Sequence, residues 1–191
     1  LVIIHIVVVT SISYGLSRYA LEMVVRVLVL ELIPLTAAMF VALRCALPNA
    51  AEIATLRAQG VLSTPTADGT DPLQREVLPR VASGMFSVLL LATVSCVVTA
   101  VLAYLWVHGV TTGGLAGYTR TFGRVFNPAV TLIFTAKTLG FSLAVGLIPI
   151  ASVLYDRPNP RLRTSNELRG LVRLFFMILL IEIAALVVNY Y

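Results

Sequence analysis

Charge is what this chain has least of. Only 12 % of its 191 residues are Asp, Glu, Lys or Arg and 59 % are hydrophobic, against about 25 % charged and 45–50 % apolar in an average soluble domain. Mean hydropathy is +0.95. A water-soluble fold of this size cannot hide so much apolar surface behind so few charges. A disordered chain, a nucleic-acid-binding domain and an ordinary soluble enzyme are thereby excluded. The net charge of +5 is modest, and no aromatic residues interleave with the basic ones. It reads as arginine in cytoplasmic loops and not as a nucleic-acid footprint. Paired cysteines are missing as well: Cys45 and Cys96 stand alone in apolar surroundings, as small buried hydrophobes do. There is no GxxxxGK[ST], so the chain binds no nucleotide through a P-loop. There is no HExxH, no zinc-ligand cluster and no GxSxG elbow. The two histidines, His5 and His108, are far apart and read as interfacial or packed residues. Nothing here supports an enzyme. What remains is a polytopic, all-α membrane protein, a single bundle over residues 1–191.

Long apolar runs are what the chain does have. A bilayer core about 30 Å thick needs roughly 20 apolar residues in a helix. Five segments are expected to be helical: Leu1 to about Tyr14, about Ala20 to Ala46, about Ala82 to Val107, about Asn127 to Tyr155, and about Leu171 to Tyr190. The first is short and reads as the end of a longer helix. It lacks the basic start and small-residue cleavage site of a signal peptide. Near-continuous apolarity excludes barrel strands, which alternate.

Arginine counts orient the spans. Arg44, Arg57, Arg75 and Arg80 mark the 44–80 stretch as cytoplasmic, and Arg157, Arg161, Arg163, Arg169 and Arg173 do the same beyond 156. The glycine-rich 108–126 stretch, with Arg120 and Arg124, is expected to be an outer loop. The N-terminus then lies in the cytoplasm and the C-terminus outside. Within 44–80, Ala50 to Gln59 suits a short helix, Gly60 and the Ser63–Thr70 stretch break it, and Asp71-Pro72 starts another. In the 156–170 loop a helix start is expected at Ser165 or Asn166.

Ionisable groups inside spans are the functional candidates, because each is costly at mid-bilayer. Glu22 and Arg26 have the spacing of a local helical pair. Glu31 precedes Pro34, whose missing N–H and bulky ring favour a kink beside it. Glu31 either lines a cavity or is a structural acid bonded to a neighbouring helix. Lys137, the only lysine, lies about ten residues into its span, too deep to snorkel easily. It meets either a cavity or anionic head group, or a structural ion pair. Glu182 is a candidate partner for Lys137 or Arg26.

These residues carry a resemblance. Glu31-Leu-Ile-Pro34, Ala37-Ala38, Arg44, Ala51-Glu52-Ile53, Leu56-Arg57, Asp71-Pro72-Leu73 and Pro79-Arg80 resemble the MlaE/YrbE permeases, the membrane subunits of MCE-associated ABC transporters. The family pattern runs E-L-G-P, a G-R step, A-E-[IL]-G-x-M-R, D-P and P-R, at this spacing. Lys137 with Phe141 is similar to its K-S-x-x-F, and Arg169 with Arg173 to its R-A-T-T-R. The resemblance implies a permease that works as a homodimer or heterodimer in the inner membrane. It implies a separate ATPase, which binds the ATP, on the cytoplasmic side, an MCE-domain protein on the outer side, and phospholipid or a related lipid as cargo. It places Glu31, Pro34 and Lys137 at a substrate cavity, and Glu52, Leu56, Arg57 and Gln59 on the segment that meets the ATPase. The chain itself holds no cofactor and no metal in this reading. Departures are Leu30, Ile33, Leu43, Ala54, the Ala58-Gln59-Gly60 step and Val130, where the family has Arg, Gly, Gly, Gly, T-E-Q and Asp. They suggest a divergent member. Two further readings stay open: a structural subunit that anchors the complex without coupling, and an ion-coupled carrier using Glu31, Lys137 and Glu182. The carrier class usually shows an inverted repeat, and none is visible here.

Overall fold

A computed structural model describes residues 24–63, 72–110, 112–155 and 163–190, and every regular element among them is helical. Leu1 to Tyr14, the Glu22 half of the Glu22–Arg26 pair, the breaker residues from Thr64 and the Asp71 cap lie outside the described residues. Four helical stretches are long and apolar enough to cross a membrane: the protein is a multi-pass helical membrane protein.

The first stretch is one unbroken helical run with two widened segments. A π-helical segment, Val24–Leu32, leads into α1 (Ile33–Val41); a second, Ala42–Ala46, leads into α2 (Leu47–Ala58). Each π segment ends two residues before a proline, Pro34 or Pro48. A proline inside a helix lacks the N–H for the carbonyl four residues back, and its ring clashes with that carbonyl. One wider turn relieves both problems without ending the helix. Where a kink is expected at Pro34 from sequence, the structure shows a widened helix. The spanning run Arg26–Ala58 has 33 residues, about 50 Å at 1.5 Å per residue. It is therefore longer than the bilayer core, and α2 is its extension. Gln59 and Gly60, the latter at φ +76°, close it with a left-handed turn.

Helix α3 (Pro72–His108) follows, then α4 (Leu115–Val125), α5 (Pro128–Tyr155) and α6 (Arg163–Tyr190). Pro72 opens α3 as expected, and α6 begins two residues ahead of Ser165. Asn127 caps α5: its Oδ1 accepts the Val130 N–H at 2.8 Å, with Pro128 in the first turn. Half of the spanning window of α5 is buried, against 17 % in α3 and α6, so α5 is the central helix. The core joins Ala38, Val41 and Ala42 to Val88, Phe141, Val145, Leu174 and Ile178. Outward, α3 exposes Phe86, Leu90, Val94, Val97 and Val101, spaced as one helical face, as suits contact with lipid.

The 108–126 stretch is more than a glycine-rich loop, because α4 lies inside it. Tyr118, Phe122 and Val125 form its inner face. The Tyr118 hydroxyl donates to the Ala100 carbonyl at 2.7 Å. Burial pushes the Tyr118 phenol above its usual range, so it stays protonated and able to donate. An aromatic ladder runs Tyr104, Tyr118, Phe122, Phe126, Phe134, with Phe122 and Phe126 stacked at 4.7 Å. Sequence reading missed this helix because Gly117 and Gly123 weaken it. Packing of the aromatic face outweighs that cost.

Helices α3 and α5 cross at glycine. A Cβ on Gly146 would lie 2.7 Å from Met85 Cγ and 3.1 Å from the Val81 carbonyl oxygen, whereas one on Gly123 meets nothing within 4 Å. Gly146→Leu is expected to destabilise the bundle by about 1–3 kcal/mol, and Gly123→Ala to stabilise it by up to about 1 kcal/mol. Thermal unfolding in detergent checks both; an unshifted Gly146→Leu transition would contradict the crossing.

Candidate functional site

Three helices bring three charges together. Glu31 comes from the first π segment, Lys137 from the middle of α5 and Glu182 from α6. The Lys137 ammonium donates to Glu31 Oε2, to Glu182 Oε1 at 3.0 Å and to the Leu30 carbonyl at 3.2 Å. Glu182 Oε2 also lies 2.9 Å from it. An ammonium has three N–H donors, and all three are engaged. The Lys137 side chain is 2 % exposed, and those of Glu31 and Glu182 are 15 % and 11 % exposed. In a low-dielectric interior such a cluster persists only if its charges are paired and its donors satisfied.

The Leu30 carbonyl is available for a sequence reason. Leu30 is four residues before Pro34, so the helical donor it would ordinarily face is the one that proline lacks. Lys137 takes that place. Pro34 is fully buried and is not on the wall of the adjoining cleft, which is lined by Leu30, Glu31, Val130, Ile133, Phe134, Lys137, Ala185 and Asn189. Of the expected cavity residues the structure thus brings Glu31 and Lys137 to the cleft and sets Pro34 behind it, acting through a backbone oxygen. Of the alternatives for Lys137, the ion pair is present; an anionic head group would have to displace one of its partners.

Val130, Phe134 and Asn189 were not anticipated at this cleft. Val130 and Phe134 are seven and three residues before Lys137, on one helical face with it. That spacing was the available signal. Asn189 arrives from the far end of α6, and nothing local announces it. The depth of the site follows from helix rise. Lys137 is nine residues from Pro128 and Glu182 seven from Asn189, or about 14 Å and 10 Å from the same end of the bundle. The α4 helix lies at that end, since it directly precedes α5.

At the opposite end, α2 gathers the residues expected to meet an ATPase. Glu52 is exposed and pairs at 3.2 Å with Arg80 of α3, which also reaches Glu76 at 3.3 Å. Arg57 donates to the Val153 carbonyl in the last turn of α5. That group is one of the orphan acceptors at a helix C-terminus, where a cation is also favoured. Leu56 is half-buried and Gln59 exposed. Arg80 as the partner of Glu52 was not foreseen from sequence. The two lie 28 positions apart, across an interhelical segment.

A charged cluster held inside a multi-pass helical bundle, beside a cleft, is the arrangement of a membrane transport protein. The family described as permease MlaE matches residues 1–188, and this chain belongs to it. It is thus a membrane permease of the ABC-transporter type, a class that works with an ATPase partner. Comparison with curated proteins and with solved structures finds no match.

Removing the ammonium leaves two carboxylates facing each other in the interior. Lys137→Met is expected to cost about 3–5 kcal/mol, as loss of one partner from a buried ion pair does. Adding Glu31→Gln and Glu182→Gln to it should recover part of that loss. Denaturant titration of the detergent-solubilised protein measures both; a Lys137→Met variant as stable as the parent would show that the cluster does not hold the helices.

Proposed function

We propose that this chain moves phospholipid or a related lipid across or out of the inner membrane, exchanging it with an MCE-domain protein on the outer side, with ATP hydrolysed by a separate ATPase on the cytoplasmic side. The observation that carries the reading is the Glu31–Lys137–Glu182 cluster beside a cleft whose other lining residues, Asn189 apart, are apolar. That is the mixed lining an amphiphile needs. Lipid tails would lie against Val130, Ile133, Phe134 and Ala185 and the corresponding surface of a second permease copy, with the head group near Glu31. The chain has no P-loop, so the work comes from the partner.

The coupling route runs through the first helix. Glu31 and Glu52 belong to one continuous helical run, so pressure on α2 acts along the same rod that carries Glu31. Arg57 and Arg80 brace that rod against α5 and α3. The braced, helical α2 favours a working permease over a structural subunit that has lost coupling. The ion-coupled carrier ranks last, since all three Lys137 donors are already engaged in the resting cluster.

Glu52→Arg sets two cations opposite each other where Glu52 and Arg80 now pair. Because the site is exposed, the fold should change by no more than about 1 kcal/mol. The expected outcome is a folded chain that co-purifies less of the ATPase and supports at least about tenfold slower ATP-dependent lipid transfer, a loss of about 1.4 kcal/mol at the barrier. Pull-down and transfer between proteoliposomes and MCE protein check it. Undiminished transfer would remove α2 from the coupling route, and transfer that persists without ATP but follows a proton gradient would favour the carrier.

A further inference from the structure

Helix α4 has a second face that the ion cluster and its cleft do not use. The inner face is fixed: Tyr118 donates to the Ala100 carbonyl at 2.7 Å, and Val125 is buried with Val29 and Leu30. Ala100 lies eight residues before His108, the end of α3, and inside the apolar run that ends at Leu105. By helix rise that contact is about 12 Å below the end of α3. Helix α4 is therefore docked beside the last turns of a spanning segment, where hydrocarbon gives way to head groups. Tyr104 and Tyr118 meet edge-on there at 5.2 Å, and tyrosine is favoured at that level. On the opposite face Arg120 and Arg124 stand exposed, one turn apart. Neither makes an ion pair or a side-chain hydrogen bond among the described residues, whereas Arg57 and Arg80 at the α2 end are both engaged. The sequence has no Asp or Glu between Glu76 and Asp156, so α4, α5 and all of α3 beyond its first turns hold no carboxylate. The arginine face is also open: a Cβ on Gly117 or Gly123 meets nothing within 4 Å. Val110 and Leu115 are exposed at the same end.

We propose that the arginine face of α4 is a binding site for the phosphodiester of an anionic phospholipid, gripped by Arg120 and Arg124. A guanidinium is a planar fork that matches phosphate oxygens, and two of them one turn apart can close on a single group. Their long stems lie along apolar surface while the charged ends reach head-group level. Depth argues for a lipid over an acidic protein. The face stands beside spanning turns of α3, at the end where Val110 and Leu115 are exposed, which is a setting for hydrocarbon and not for a hydrated protein surface. The site is separate from the cleft beside Glu31 and Lys137, yet it shares a scaffold with it. Phe122 and Val125 of α4 pack in one cluster with Val130 and Phe134, which line that cleft. A phospholipid held on α4 is thus about one helix diameter, roughly 10 Å, from the cleft. The assignment requires a membrane and does not depend on transport.

The test uses the full chain in phosphatidylcholine vesicles, with its only tryptophan changed by Trp106→Phe and a reporter placed on the arginine face by Thr119→Trp. Quenching by brominated phosphatidylglycerol is compared with quenching by brominated phosphatidylcholine at equal content. The expected result is a preference for phosphatidylglycerol of about 25-fold, about fivefold for each arginine at the head-group layer. Arg124→Gln should lower it to about fivefold, and Arg120→Gln added to that should bring parity. Ala116→Glu, which offers Arg120 a partner one turn away in the chain, should lower it to about fivefold or less. Residues 116, 120 and 124 are exposed, and such substitutions leave a fold nearly unchanged. If the reporter chain does not assemble, native mass spectrometry of the unmodified chain and the double arginine variant, stripped of lipid and titrated with phosphatidylglycerol, makes the same comparison. Equal quenching by the two lipids, or a preference unchanged in the double variant, overturns the proposal. Full loss of the preference in millimolar glycerol 3-phosphate shows a soluble phosphate as ligand and overturns the lipid-borne assignment. A double variant that keeps the preference but loses the MCE-domain protein shows an acidic protein surface on this face and overturns it too. None of these readouts measures lipid transfer, so the transport reading above stands or falls separately.

Discussion

An ammonium inside hydrocarbon can exist only where each of its protons has an acceptor and its charge a counter-charge. Lys137 meets that condition with groups from two other helices, and much of the described structure is arranged around that fact. Glu31 must face α5, which sets the rotation of the first helix. Glu182 must face it from the other side, which sets the rotation of α6. Apolar packing alone leaves such rotations loosely specified, because lipid tails are as apolar as the side chains they touch. A polar contact with a fixed address removes the ambiguity. The burial of α5 between the other helices is the packing counterpart of the same arrangement.

Proline is the second constraint, and it operates through the backbone. Pro34 and Pro48 each follow a π segment, and Pro34 leaves the Leu30 carbonyl without its usual helical donor. In water that oxygen would be solvated. Here the donor that reaches it is the same ammonium that needs a third acceptor. One residue that disrupts a helix and one that is misplaced in a membrane therefore correct each other. The arrangement explains why Pro34 matters to the site while lying off the wall of the cleft.

Much of this was legible from residue order, and the illegible part has a common cause. Span positions follow from apolar length. The start of α5 follows from Asn127-Pro128, the end of α2 from Gly60, and the importance of Lys137 from its depth and solitude. Each of these signals is local. Glu182 was visible as a candidate partner of Lys137 or Arg26, but only the packing of the helices assigns it to Lys137 and shows two acids sharing one ammonium. The Glu52–Arg80 pair and Asn189 also depend on contacts across helices, which a single sequence does not encode at fixed spacing. The π segments are a different kind of omission. The prolines announce a disturbance, and only packing decides whether the helix kinks, ends or widens. In α4 the local signal pointed the wrong way, since glycine disfavours a helix that Tyr118, Phe122 and Val125 then hold by burial.

The two ends of the first helix are mechanically linked, and the π segments decide how. A regular helix transmits a push along its axis, whereas a widened turn is where such a helix changes register most easily. One π segment, Ala42–Ala46, lies between α2 and the ion cluster, and the other, Val24–Leu32, contains Glu31 itself. Between them α1 is packed through Ala38 and Val41 into the core and has little room to slide. A displacement arriving at α2 is then either absorbed at Ala42–Ala46 or passed to the segment that bears Glu31. In the second case it changes the distance between Glu31 and Lys137, the contact whose loss costs most in a dry interior. The cluster is thus positioned to resist small motions of the α2 end and to yield only to a large one, as a permease driven from outside its own chain requires.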